Sequence, residues 1–178
     1  MKKAHKGQSK VILVLGGASS GKSQVALDLA GIARPRAFVA TGEALDPEME
    51  ERIARHRTSR SSDWTTAEIP LEIASWFREQ GKDYRTIVMD CLTLWLSNLR
   101  QRRVPESVVH DSVSQLLQAM RKSSARVVIV SNELGLGLVP VGRAVRKFRD
   151  LAGKMNQQVA AEADEVYFVV SGQALRLK

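Results

Sequence analysis

The chain has 178 residues, enough for one domain with a full core, and its 44% hydrophobic and 26% charged residues are the profile of an ordinary soluble globular protein. The net charge of +8 points to anionic partners: nucleotides, phosphorylated substrates, nucleic acid or a membrane surface. One cysteine, Cys91, excludes an internal disulfide and suits a reducing, cytoplasmic setting, and no apolar run approaches the about 20 residues of a membrane span.

Residues 1–9 are polar and expected to fray. "MKKAHKGQSK" followed by "VILVLGGA" imitates a secretory signal, but the apolar run breaks at two glycines and then at Lys22, so it is not expected to act as one. A first strand is predicted over 11–15 and a helix over 22–33, with a glycine loop between them. A strand follows over 37–41. "DPEMEERIARHR" then starts a helix, with Asp46 as N-cap and Pro47 at the first helical position. Its acids lie early and its bases late, which suits the helix dipole. A weaker strand, 64–68, precedes a helix over 70–80. Next come a strand over 86–90, helices over 92–101 and 106–123, and a strand over 126–132. A long helix over 142–163 places Val145, Phe148, Ala152, Met155 and Val159 on one face. A strand over 166–170 and an alternating "ALRLK" at 174–178 complete the chain as a hairpin.

The main strands are short and apolar on both faces, as strands are when helices cover a parallel sheet on both sides. The expectation is a single α/β domain over 1–178, with no internal repeat. Its architecture is a three-layer fold like that of P-loop NTPases, with a mainly parallel sheet and an antiparallel C-terminal edge strand. Ligands should gather at the C-terminal ends of the strands.

One loop on that edge carries a specific signal. Gly16, four residues, then Gly21, Lys22 and Ser23 fit the phosphate-loop pattern, with a strand before and a helix after. The backbone N–H groups of Gly16, Gly17, Ala18, Ser19, Ser20 and Gly21 are expected to curl round a phosphate chain, helped by the positive end of the following helix. Lys22 should reach the β- and γ-phosphates, and Ser23 should ligate Mg²⁺. Asp90, which ends the predicted strand 86–90, is the expected carboxylate partner for the metal and can also cap the next helix.

A second constellation surrounds His56, with Arg52, Arg55, Arg57 and Arg60 nearby. Nearby positive charge disfavours the imidazolium, so a neutral ring nitrogen would be available to attack phosphorus. A solvated basic helix end accounts for the same composition. "SNELGLGLVP" places Asn132 and Glu133 at the ligand edge, as substrate contacts or as a flexible turn. The basic residues of helix 142–163 lack the interleaved aromatics of a single-strand binder, and no Cys/His cluster suggests zinc. Trp64, Trp76 and Trp95 read as core or interface residues.

The segments "LGGASSGKS", "ATGEALDPEMEERIARHR", "DWTTAE", "VMDCLTLWLSN", "VSNELGLGLVP" and "FRDLAGKMNQQVAAEADEVYFVVSG" run in this order through nearly the whole chain. Together they resemble the bifunctional adenosylcobinamide kinase / adenosylcobinamide-phosphate guanylyltransferase family of cobalamin biosynthesis. The resemblance implies that His56 accepts GMP from GTP and passes it on. It implies nucleotide contacts from Gly16 to Ser23, from Ala40, Thr41 and Gly42, from Arg57, Thr58, Ser59 and Arg60, and from Glu68 and Asp90. A carboxylate such as Glu68 can accept the two hydrogen bonds that the N1–H and N2–H₂ edge of guanine donates. GTP and ATP as substrates, a corrinoid acceptor and a homo-oligomer, specifically a trimer, are implied as well. Neither nucleic acid nor a membrane is expected as a partner. Two positions depart from the family's usual pattern: Ser19 stands where arginine is common, and Ser61 stands where proline is usual after Arg60. Two other functions compete with this reading. One is a single-activity small-molecule kinase in which His56 is idle; the other is a basic nucleic-acid-binding NTPase.

Overall fold

The computed structural model describes residues 9–44, 47, 51 and 62–178. In chain order the elements are β1 (Lys10–Gly16), α1 (Lys22–Ala30), β2 (Arg36–Ala40), β3 (Trp64–Glu68), α2 (Ile73–Glu79), a 3₁₀ turn (Gly81–Asp83), β4 (Thr86–Asp90), α3 (Leu92–Gln101), α4 (Glu106–Lys122), β5 (Arg126–Asn132), α5 (Arg143–Glu162), β6 (Glu165–Val170) and β7 (Gln173–Arg176). Of the helix expected from Asp46 onward only Pro47 and Glu51 are described, both helical; the polar start lies outside the described residues except for Ser9, which is buried.

The seven strands form one sheet in the order β3-β2-β4-β5-β1-β6-β7. All neighbours run parallel except β6 and β7, which form the antiparallel hairpin at the edge. The hydrophobic pattern explains this arrangement. Side chains alternate across a strand, and the central strands are apolar at both parities, so both faces must be covered. Val11, Leu13 and Leu15 of β1 face one layer, with Ile87 and Met89 of β4 and Ile129 of β5. Ile73 and Phe77 of α2, Leu92 and Leu96 of α3, Val113 and Met120 of α4, and Met155 and Val159 of α5 pack against them. Ile12 and Val14 face the other layer, with Val88, Val128 and Val130, against Ala26 and Ala30 of α1. Each fully buried aliphatic or aromatic side chain contributes about 1.5–3 kcal/mol by leaving water.

The tryptophans are structural. Trp95 is 2% exposed and its Nε1–H donates to the Leu71 carbonyl at 2.9 Å. Trp76 stacks on Tyr84 with ring centroids 5.8 Å apart. Trp64 meets Phe38 edge-on and is covered by the Arg36 guanidinium.

Three helices differ from the sequence expectation; the one expected over 70–80 runs only from Ile73 to Glu79. α1 stops at Ala30 instead of running to 33, because the chain turns at Gly31, whose N–H donates to the Asp28 carbonyl. In α5 the apolar face begins later than the periodicity suggests. Val145 is 54% exposed, while Leu151, Ala152, Met155 and Val159 are buried. Residues 143–145 of the first turn are all exposed, so among the described residues this turn of α5 stands clear of the core. Among the described residues no helix is long and apolar enough to cross a membrane.

Candidate active site

The phosphate loop connects β1 to α1. Gly16 is the last residue of β1, and a Cβ there would sit 2.8 Å from the Val169 carbonyl of β6 and 2.5 Å from Ser20 Oγ, so the crowded bend excludes any side chain. Gly21 caps α1 at a φ of 91°, in the left-handed region where a side chain is strained. A Cβ at Gly21 would also lie 3.1 Å from the Cα of Gly172, at the β6–β7 turn. That turn holds the loop directly, since the Gly172 N–H donates to the Ser20 carbonyl at 2.8 Å. Lys22 is 7% exposed and its Nζ donates to the Gly17 carbonyl at 2.7 Å, which folds the ammonium back over the loop. A positive charge in a phosphate-loop pattern is suited to phosphate oxygens.

Ser23 Oγ donates to Asp90 Oδ2 at 2.9 Å, joining the start of α1 to the end of β4. The pair brings together a hydroxyl and a carboxylate, the hard oxygen donors Mg²⁺ prefers. A Mg²⁺ site with few protein ligands leaves its other positions to water and phosphate oxygens, and these two residues fit that pattern.

The sheet register aligns the remaining expected residues. Ala40 of β2 lies level with Asp90 of β4 on one side and Glu68 of β3 on the other. Gly16 to Ser23, Ala40 to Gly42, Glu68 and Asp90 therefore share one edge. Glu68 is exposed there. Thr41 is fully buried, and its hydroxyl accepts from the Cys91 N–H and donates to the Cys91 carbonyl, both at 2.8 Å. Its side chain thus fastens the turn that follows Asp90. His56, Arg57, Thr58, Ser59 and Arg60 lie outside the described residues, between β2 and β3.

Several supporting residues complete this edge: Asn98, Thr93 and Asn156 carry no signal in the sequence, whereas Asn132 and Glu133 are expected there as substrate contacts or a flexible turn. Asn98 of α3 is 3% exposed and its Nδ2 donates to the carbonyls of Thr41 at 2.7 Å and Pro70 at 3.0 Å. It thereby clips the loops after β2 and β3 together. Asn132 at the end of β5 is held on both sides: its N–H donates to Thr93 Oγ1 at 2.9 Å, and its carbonyl accepts from Asn156 Nδ2 at 3.0 Å. The next residue, Glu133, donates its N–H to the Gly16 carbonyl at 3.0 Å. Asn and Thr occur anywhere in a helix pattern, so only their burial against distant carbonyls distinguishes them.

Two expectations follow from these contacts. Thr41→Val keeps the shape but leaves the buried Cys91 N–H and carbonyl without the hydroxyl. It is expected to cost about 1–3 kcal/mol, read as a lowered Tm, with Thr41→Ser close to the parent. Burial, with the Asp90 charge adding to it, pushes the Cys91 thiol up to about 12. The native protein at pH 8 should therefore leave Cys91 unmodified by iodoacetamide, and denaturant should restore one equivalent of labelling, counted by mass spectrometry.

The chain is similar to known proteins along nearly its whole length. The family model described as cobinamide kinase / cobinamide phosphate guanyltransferase matches residues 12–177. The bifunctional adenosylcobalamin biosynthesis protein CobP of Pseudomonas aeruginosa is 41% identical over 169 residues, covering 93% of this chain and 96% of that protein. The corresponding CobU protein of Salmonella typhimurium is 37% identical over 180 residues, covering 94% and 99%. Among solved structures, a KaiC-like protein from Pyrococcus horikoshii has a TM-score of 0.53 at 12% identity, over 90% of this chain and 71% of that one. The RadB recombinase has a TM-score of 0.51 at 16% identity, over 91% and 74%. These distant structures share the P-loop NTPase fold alone; the sequence matches carry the assignment, and the chain belongs to the cobinamide kinase / cobinamide phosphate guanyltransferase family.

Proposed function

We propose that this protein phosphorylates adenosylcobinamide with ATP or GTP and then transfers GMP from GTP to the resulting phosphate through a guanylylated His56. The observation that carries the reading is a phosphate loop with Ser23 bonded to Asp90 at 2.9 Å, inside a chain that matches the family from residue 12 to 177.

In the first step the hydroxyl of the aminopropanol arm attacks the γ-phosphorus, and the nucleoside diphosphate leaves. Lys22 and the N–H groups of Gly16 to Gly21 balance the charge gathering on the phosphate oxygens. Ser23 and Asp90 would hold Mg²⁺, which would supply positive charge to offset that of the phosphate groups. In the second step a neutral His56 ring nitrogen attacks the α-phosphorus of GTP and pyrophosphate leaves. An oxygen of adenosylcobinamide phosphate then attacks the same phosphorus and His56 departs, giving adenosylcobinamide-GDP. Splitting one displacement into two is the usual benefit of a covalent intermediate. Arg57 and Arg60 are read as partners for the triphosphate, and Glu68 as the acceptor for the guanine edge. We read the enzyme as cytoplasmic and as a homotrimer, from its family and its single reduced cysteine.

The test is incubation with GTP labelled at the α-phosphorus, followed by denaturation. Protein-bound label that is stable in base and lost in mild acid is the expected result. Kinase activity without such label would leave only a single-activity kinase. Stimulation of hydrolysis by DNA or RNA would point instead to a nucleic-acid-dependent NTPase.

A further inference from the structure

Eleven large apolar side chains are exposed among the described residues, and six of them fall in one stretch: Leu134, Leu136, Leu138, Val139, Val141 and Val145. Leu138 and Val141 are each 97% exposed. An exposed apolar cluster of this kind marks a surface that meets something.

The stretch is held in place by its backbone. The Gly135 N–H donates to Glu133 Oε1 at 2.7 Å, closing its first turn. Arg146 of α5 donates from NH1 to the carbonyls of Pro140, at 2.9 Å, and Val141. These bonds tie the loop's backbone to itself and to α5, while its apolar side chains are exposed. The root of the loop lies at the phosphate loop, through the bond from Glu133 N–H to the Gly16 carbonyl.

The geometry points to residues 134–141 as the surface that receives the corrin ring of the acceptor, an inference that rests on the function proposed above. The acceptor's hydroxyl, and later its phosphate, must arrive where the phosphate loop holds the nucleotide. A corrin is a wide macrocycle with an apolar face and an amide-bearing rim. It requires an apolar surface beside the phosphates, together with exposed polar backbone or solvent at the rim. The 134–141 loop supplies apolar side chains on the catalytic edge of the sheet, one residue beyond a direct bond to the phosphate loop. A second copy of the chain seated there would cover the approach that the acceptor needs.

The test uses the full chain carrying Leu138→Asp or Val141→Asp. Both side chains are almost fully exposed, so the substitutions spare the core. Cobinamide binding is measured by equilibrium dialysis at the corrin absorption, GTP binding by calorimetry and oligomeric state by sedimentation. The expected result is at least a tenfold rise in the cobinamide Kd, with GTP affinity and sedimentation unchanged. Unchanged cobinamide affinity in both variants overturns the inference. A shift to smaller species also overturns it, and assigns the loop to contacts between copies. Wild-type protein that binds no cobinamide at all overturns the functional reading itself, which separates the two failures.

Discussion

His56→Ala is expected to abolish guanylyl transfer, by at least about 10³-fold in kcat, while phosphorylation of the corrinoid persists. The size of the loss follows from the role. A removed nucleophile leaves no alternative group to form the covalent intermediate, and direct attack of one phosphate on another brings together two anions that repel. The same variant should take up no label from GTP marked at the α-phosphorus. Two measurements on one preparation therefore check the assignment: product formation with adenosylcobinamide phosphate, and protein-bound label after denaturation. Loss of both activities with a lowered Tm would indicate damage to the fold; loss of transfer alone is the predicted pattern. A His56→Ala enzyme that still makes adenosylcobinamide-GDP at the parental rate refutes the intermediate.

The second large effect is expected at Lys22. Lys22→Met keeps much of the apolar stem but removes the ammonium that bonds the Gly17 carbonyl at 2.7 Å. A positioned charge acting on phosphoryl oxygens in a site screened from water contributes about 10²–10³ in rate, so kcat for the kinase step should fall by that factor. Because the bond to Gly17 is lost as well, the loop loosens and KM for the nucleotide should rise with it. Far-UV circular dichroism should not change, since α1 remains packed through Ala26 and Ala30, both at most 1% exposed. Kinase kinetics that match the parent would show that phosphate is held elsewhere.

These two expectations have different origins, which shows how much was legible in the chain. His56 rests on the family resemblance and on its cluster of arginines, and it lies outside the described residues. Lys22 rests on a local pattern of eight residues, and the fold places its Nζ over the loop. The position of Asp90 was legible as the polar end of an apolar strand. Its direct bond to Ser23, 67 residues earlier, is visible only in the tertiary structure; the sequence points to the two as ligands of one metal.

The sequence by itself determined what depends on near neighbours. Apolar residues at both parities in 11–15, 86–90 and 126–132 require a sheet covered on two faces, and Gly16, Gly21, Lys22 and Ser23 define a phosphate loop through backbone geometry that spans one turn. Tertiary structure alone decided what depends on distant partners. Thr41 bonds to Cys91 across 50 residues, and Asn98 reaches Thr41 across 57. The Gly172 N–H holds the Ser20 carbonyl from the other end of the chain. Val145 fits the helical periodicity yet stays exposed, because periodicity says which face a residue occupies and not whether anything lies opposite. Local pattern encodes direction and propensity, whereas burial and hydrogen-bond partners appear only once parallel crossovers bring remote segments to the same edge.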